Sequence, residues 1–222
     1  MIRLEGVTKE FDGGVIALSD INLELREGEV VVLKGVSGSG KSTILALIAG
    51  LSKPTQGRVI VDGKEVSKLP DHFCATFRRE NVGIIFQRYN LIPDLSVSDN
   101  ILLPLYPANM PKEILLERLE KELKAYHIED KKDAVVKNLS GGQQQRVAIA
   151  RANVNNPKII LADEPTANLD EKLSREFIEI LKELKSQKRT IIVATHDPLF
   201  FELDFVDRFI TIAHGKIVDD NT

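Results

Sequence analysis

The chain of 222 residues contains one cysteine, Cys74. A single thiol allows no intrachain disulfide and no metal cluster built on cysteines. No motif surrounds Cys74, so it reads as a small, partly buried side chain. A basic surplus is also missing: 30 Lys and Arg stand against 33 Asp and Glu, a formal charge of −3. That balance argues against a nucleic-acid binder, which carries an excess of positive charge. Long apolar runs are absent. The longest, Ile44 to Leu51, is far short of the ~20 residues that a spanning helix needs. The opening residues Met1-Ile2-Arg3-Leu4-Glu5 lack the charged and apolar regions of a secretion signal. There is no repeat and no low-complexity stretch. These absences lead us to expect a cytoplasmic chain with no direct insertion into a membrane. Any membrane role would pass through a partner.

What is present suits a folded α/β protein. Hydrophobic residues make up 43% and charged residues 28%, enough for a core under an ordinary polar surface. Ile2-Arg3-Leu4-Glu5 and Ile21-Asn22-Leu23-Glu24-Leu25 alternate, predicting half-buried strands near a sheet edge. Glu27-Gly28-Glu29 predicts a turn. Val30 to Leu33, Val59 to Val61, Ile84 to Phe86, Ile159 to Ala162 and Ile191 to Ala194 are continuous apolar runs, the pattern of strands covered on both faces. Phe209 to Ile212 and Lys216 to Val218, joined by His214-Gly215, predict a terminal hairpin. Helical spacing marks Ser42 to Leu51, Pro111 to Tyr126, Gln143 to Asn153, and the stretch carrying Leu173, Phe177, Ile180, Leu181 and Leu184. No buried-strand signal falls between Gln87 and Asn156. An α/β core interrupted by a helical insertion follows.

Gly35-Val36-Ser37-Gly38-Ser39-Gly40-Lys41-Ser42 fits the phosphate-loop pattern G-x-x-x-x-G-K-[ST], between a strand and a helix. Glycines let successive N–H groups turn inward toward phosphate oxygens. The helix start, with Thr43 in its first turn, adds a partial positive charge. Lys41 is placed to neutralise phosphates and the Ser42 hydroxyl to ligate Mg²⁺. The competing reading is a glycine-rich turn with a solvated lysine, which the strand–loop–helix context disfavours. Ile159 to Ala162 then ends in Asp163-Glu164. Ligands bind at strand ends in open α/β sheets. Asp163 can hold Mg²⁺ and Glu164 can polarise an attacking water. Thr195-His196-Asp197 follows the next buried run, so His196 could reach a terminal phosphate. His72, His127 and His214 have no such company and read as surface or loop residues.

Leu139-Ser140-Gly141-Gly142-Gln143 completes a set that resembles the ATP-binding subunits of ABC transporters. The order fits over essentially the whole chain: phosphate loop, Gln87, LSGGQ, Asp163-Glu164, His196. On the residues alone, LSGGQ is a capped helix start near Gln143, suited to an anion. The resemblance implies more. The fold would be a P-loop NTPase (RecA-like) core, 1–86 and 155–222, with an N-terminal antiparallel β subdomain and an inserted helical subdomain, 87–154. Two copies of the chain would pair head to tail around two Mg-ATP. Each nucleotide would lie between one copy's loop and the other's Ser140 to Gln143. Phe11 matches the aromatic that stacks on adenine, where tyrosine is commoner. Gln87 matches the glutamine that senses Mg²⁺ and water. Leu169-Asp170 matches a segment crossing the dimer interface, and Glu164 matches the catalytic glutamate. Asn153 stands where the family often carries leucine, with no mechanistic use.

Phe77 to Pro93, with Leu95 to Ile101 and Leu103-Pro104-Leu105, resembles the lipoprotein-release and macrolide-export group, whose subunits serve an integral membrane permease. The cell-division ATPase of the same group shares much of the pattern. Tyr89 to Met110, with Leu91, Ile92 and Leu95, is the expected permease-docking segment. A soluble ABC ATPase of DNA repair or translation would need a coiled-coil insertion or a second ATPase unit, which this length does not hold. A regulatory protein without catalysis is disfavoured by Lys41, Asp163, Glu164 and His196. The sequence thus predicts an ATP-hydrolysing subunit peripheral on the inner membrane face.

Overall fold

A computed structural model describes residues 1–221. Along the chain, β1 (Ile2–Phe11) turns into β2 (Val15–Leu25), and β3 (Val30–Lys34) leads through the glycine loop into α1 (Lys41–Ile48). β4 (Gln56–Val61) and β5 (Lys64–Glu65) precede α2 (Asp71–Asn81) and β6 (Val82–Ile85). Then come α3 (Val97–Leu102), α4 (Lys112–Ala125) and α5 (Gly141–Asn153). The chain closes with β7 (Ile159–Asp163), α6 (Glu171–Ser186), β8 (Thr190–Thr195), β9 (Arg208–Ala213) and β10 (Lys216–Asn221).

Two sheets form, one four-stranded with order β2-β1-β4-β5 and one six-stranded with order β10-β9-β3-β8-β7-β6. The first is antiparallel. In the second, β9, β3, β8, β7 and β6 run parallel, and β10 adds an antiparallel edge. The parallel strands are covered on both faces, which explains their unbroken apolar runs. Val30, Val32, Ile160, Ile191 and Val193 pack toward Phe177, Leu181 and the helices α3 to α5. Val31, Leu33, Leu161, Ile192 and Ala194 pack toward α1 and the antiparallel sheet. Each fully buried Val, Leu or Ile contributes about 1.5–3 kcal/mol.

Several expectations shift. Ile2 to Glu5 belongs to an interior strand, since β1 bonds to β2 on one side and β4 on the other; its alternation reflects one buried face, not a sheet edge. Val59 to Val61 lies in the antiparallel sheet with Ile60 half-buried, because a three-residue apolar run cannot distinguish the two environments. The helix after the glycine loop spans Lys41–Ile48, ending before Leu51. The signature helix begins at Gly141 rather than near Gln143. Helices α2 and α3 carry no strong periodicity: α2 buries only Cys74 and Phe77. Among the described residues no helix is long and apolar enough to cross a membrane.

Candidate functional site

The loop after β3 is shaped by glycine. At Gly35, φ is 154°, and an added Cβ would stand 2.3 Å from the Ile212 carbonyl oxygen. At Gly40, φ is 111°, and a Cβ would meet Leu18 Cδ2 at 2.7 Å and the Ala17 carbonyl oxygen at 2.8 Å. The loop therefore nests against β2 and the β9–β10 turn, leaving Val36, Ser37 and Gly38 exposed. Gly40 caps α1 without a side-chain hydrogen bond, and no acidic residue occupies the first turn. The free N–H groups there leave an end suited to an anion. Thr43 is half-buried in that turn.

Lys41 is buried, and its Nζ donates to the carbonyls of Gly35 (2.6 Å) and Val36 (3.1 Å). It stands 3.5 Å from Glu164 Oε1. The Ser42 hydroxyl donates to Asp163 Oδ1 at 2.8 Å. Burial pushes the Asp163 carboxyl above the ordinary value; the Ser42 bond and Lys41 oppose this, and Glu164 adds to it. Ser39 Oγ is buried without a partner.

Glu164 follows the end of β7 with φ 44°, a left-handed conformation that costs energy for a side chain with a Cβ. Its N–H donates to the Ala194 carbonyl at 2.8 Å. Its Oε2 accepts from the Thr195 hydroxyl (3.1 Å) and the His196 N–H (3.4 Å), and Oε1 meets His196 Nδ1 at 2.9 Å. Thr195 and Thr166 are functional neighbours that sequence reasoning missed: the Thr166 hydroxyl donates to Asp197 Oδ2 at 2.7 Å, and the Asp197 N–H donates to Thr195 Oγ1 at 3.0 Å. The only signal for Thr195 was its place in Thr195-His196-Asp197; Thr166 had none.

Lys41, Ser42, Asp163, Glu164 and His196 thus converge. Gln87 is not joined to them by a side-chain hydrogen bond; it is exposed beyond β6, and its carbonyl accepts from Asn168 Nδ2 at 2.9 Å. Phe11 is 46% exposed at the end of β1, with Lys9 Nζ 4.9 Å from its ring centroid. Ser140 to Gln143 lie elsewhere. Ser140 Oγ accepts from the Gln143 N–H (3.4 Å), and Gln143 Oε1 accepts from the Ser140 N–H (3.0 Å), a reciprocal cap on α5. Leu139 is buried behind it. With Asn168 and Asp170, Ser140 to Gln143 line a cleft of about 510 Å³ that contains no phosphate-loop residue. Asp170 also caps α6 through the Leu173 N–H at 2.8 Å.

A glycine loop between a parallel strand and a helix, facing two carboxylates at the end of β7 two strands away, defines a P-loop nucleotide-binding cassette. The family described as "ABC transporter" matches residues 18–167. The chain belongs to this family and carries its ATPase domain. It is 42% identical over its whole length to the "Macrolide export ATP-binding/permease protein MacB" of Bartonella henselae, covering 34% of that protein. It is 40% identical to an "Uncharacterized ABC transporter ATP-binding protein" of Thermotoga maritima, covering 98% of this chain and 93% of that one. The chain thus spans about a third of the macrolide-export relative and nearly all of the second. Among solved structures, the ATP-binding cassette MJ0796, dimeric and bound to ADP and Pi, superposes with a TM-score of 0.91 at 40% identity, over 100% of this chain and 98% of that one. The cassette cbiO1 of Clostridium perfringens, part of the ABC transporter complex cbiONQ, gives 0.85 at 32% identity, over 99% and 87%.

Proposed function

We propose that this chain binds Mg-ATP at Gly35 to Thr43, hydrolyses it as a head-to-tail pair with a second copy, and drives an integral membrane permease of the export or lipoprotein-release type. The observation that carries this reading is the convergence of Lys41, Ser42, Asp163, Glu164 and His196 on one loop. The residues fit a magnesium triphosphate. The cradle excludes any Cβ at Gly35 and holds the unpartnered buried hydroxyl of Ser39. Ser42 and Asp163 offer oxygen ligands side by side, the sparse protein donor set that suits Mg²⁺ when phosphates and water complete its shell. Bound Mg²⁺ supplies charge neutralisation on the phosphates.

The chain's own residues then divide the work. Lys41 exchanges its carbonyl partners for phosphate oxygens. Glu164, oriented by Thr195 and the His196 N–H, accepts a hydrogen bond from water and aims its oxygen at the γ-phosphorus. A new P–O bond forms as the bridge to ADP breaks, so catalysis is positioning and electrostatics. If Nδ1–H of His196 donates to Glu164, only an imidazolium offers a second donor, at Nε2, to phosphate. Phe11 offers a ring for the base. Gln87 would reach Mg²⁺ and water once residues 87–154 shift against the core formed by 1–86 and 155–222.

Ser140 to Gln143 and Asp170, in their separate cleft, would complete the other copy's site. The dimers formed by MJ0796 support this pairing. For the permease, a groove of about 350 Å³ lined by Ala75, Arg78, Phe86, Pro104, Pro107 and Ala152 suits an inserted helix. Of the apolar residues expected to dock, Leu91 packs against the core, whereas Ile92 is exposed. Peripheral attachment to the inner membrane face would follow from this docking. The test is Glu164→Gln. It should bind ATP with parent affinity, lose about 10²-fold or more in kcat, and accumulate as an ATP-bound dimer in gel filtration. Hydrolysis at the parent rate would remove Glu164 from the mechanism.

A further inference from the structure

Arg151 lies in the last turn of α5, the helix whose first turn carries Ser140 to Gln143. Its guanidinium has no carboxylate partner among the described residues. Nη1 donates to the Asn90 carbonyl and Nη2 to the Tyr89 carbonyl, each at 2.5 Å. Burial pushes this guanidinium down to about 10. A half-buried charge held on two backbone carbonyls, with no carboxylate opposite, is a poor source of stability. Its fork does, however, fix two successive peptide units in one orientation.

Those peptide units are themselves unusual. Tyr89 and Asn90 take φ values of 58° and 49°, consecutive left-handed conformations on residues that carry a Cβ. They follow Gln87 after a single residue, Arg88, and the Tyr89 N–H closes the turn on the Phe86 carbonyl at 3.0 Å. The Tyr89 ring reaches the opposite end of α5: its hydroxyl lies 3.8 Å from where a Cβ on Gly141 would stand. Residues 89–90 are therefore tied to the C-terminal end of α5 by two carbonyls at Arg151, while the Tyr89 hydroxyl lies beside Gly141 at its start. Strained backbone persists where surrounding contacts over-determine it.

The geometry points to Arg151 as a positioning residue that locks the loop after Gln87 onto the signature helix, so that the Gln87 segment and the Ser140–Gln143 anion site move as one body. The inference rests on the function proposed above. Without the clamp, the strained turn relaxes, and Gln87 no longer arrives at the nucleotide in step with the signature of the opposite copy. Nucleotide binding by the phosphate loop is untouched, because no atom of Arg151 contacts Gly35 to Thr43.

The experiment compares the parent, Arg151→Lys and Arg151→Met. Lysine keeps the charge and much of the stem but cannot present two parallel N–H donors; methionine keeps only the stem. Three readouts are taken: kcat, affinity for Mg-ATP by the full-length chain, and amide hydrogen exchange across 86–91 and 35–43. The expected result is a kcat lowered about tenfold or more in Arg151→Met, with lysine intermediate. Affinity for Mg-ATP should stay within about twofold, and exchange should rise in 86–91 but not in 35–43. Should Arg151→Met fail to fold, Arg151→Lys carries the test alone through the same exchange contrast. A folded variant that hydrolyses at the parent rate overturns the inference, and so does a rise in exchange spread evenly over both segments. A parent chain that does not hydrolyse ATP overturns instead the function proposed above, while the exchange contrast still reports whether Arg151 holds the turn.

Discussion

Glu122 is a carboxylic acid on α4 with only 3% of its surface exposed. Asn153 Nδ2 donates to its Oε2 at 2.9 Å, while Asn153 Oδ1 is buried with no partner. Burial raises the Glu122 carboxyl above the ordinary 4.5, against the pull of the Asn153 bond, Lys121 and Arg189. Asn153, for which the sequence offered no use, is therefore the hydrogen-bond donor for a buried acid. An acid whose value is raised by folding favours the native state fully below its unfolded value, and that contribution is lost as pH rises through the folded value. The parent should therefore lose stability relative to Glu122→Gln as pH climbs from the ordinary 4.5 through the raised folded value. Thermal melts at several pH values check this, and a constant difference across the range would contradict a buried acid. Asn153→Leu, which strands Glu122, should cost about 1–3 kcal/mol at neutral pH, measured by urea unfolding.

At the level of elements, the cap of α5 would serve two purposes under the function proposed above. Two glycines disfavour a helix by about 1 kcal/mol each, so sequence spacing places its start near Gln143. The reciprocal bonds of Ser140 and Gln143 override that cost and draw Gly141 and Gly142 into the first turn. Gly142 also has a packing reason: a Cβ there would press on Leu173 Cδ2 at 2.9 Å. The pattern Ser-x-x-Gln was visible in the sequence and was the better guide to the boundary. Stability and anion recognition can be separated at Ser140. Aspartate caps a helix about as well as serine but repels a phosphate. Ser140→Asp should keep Tm within about 3 °C of the parent, and in a Glu164→Gln background it should abolish ATP-driven dimers in light scattering. Dimers persisting at the parent level would exclude Ser140 to Gln143 from the partner's site. Helix α3 left no periodic trace because it spans only Val97–Leu102. It is set by the buried Asn100, whose Nδ2 donates to the Ile92 and Ser96 carbonyls and whose Oδ1 accepts the Ile92 N–H.

Across the whole molecule, what was legible was what the chain writes contiguously. The loop Gly35 to Ser42, the Asp163-Glu164 pair and the buried parallel strands each occupy one short run with its own pattern. What was not legible joins residues far apart: Thr195 to Glu164, Asn168 to Gln87, Arg151 to Tyr89 and Asn90. None of these contacts has a spacing signature, because tertiary packing alone brings the partners together. The same holds for the proposed docking groove. It draws Ala75 and Arg78 from α2, Phe86 from beyond β6, and Pro104 and Pro107 from the segment after α3. With Ala152 of α5, three of its sources lie outside Tyr89 to Met110, and one of them, α2, is a helix the sequence did not announce. Ala75 is exposed and is separate from the loop that would hold nucleotide, so a charge placed there should disturb docking alone. Ala75→Glu should leave ATP hydrolysis by the isolated chain within about twofold of the parent. It should also prevent co-purification with the permease, since the longer glutamate side chain obstructs the groove and draws Arg78 of the same helix into an ion pair across it. Retained association with an unchanged melting curve would move the docking surface away from this groove, toward the exposed Ile92.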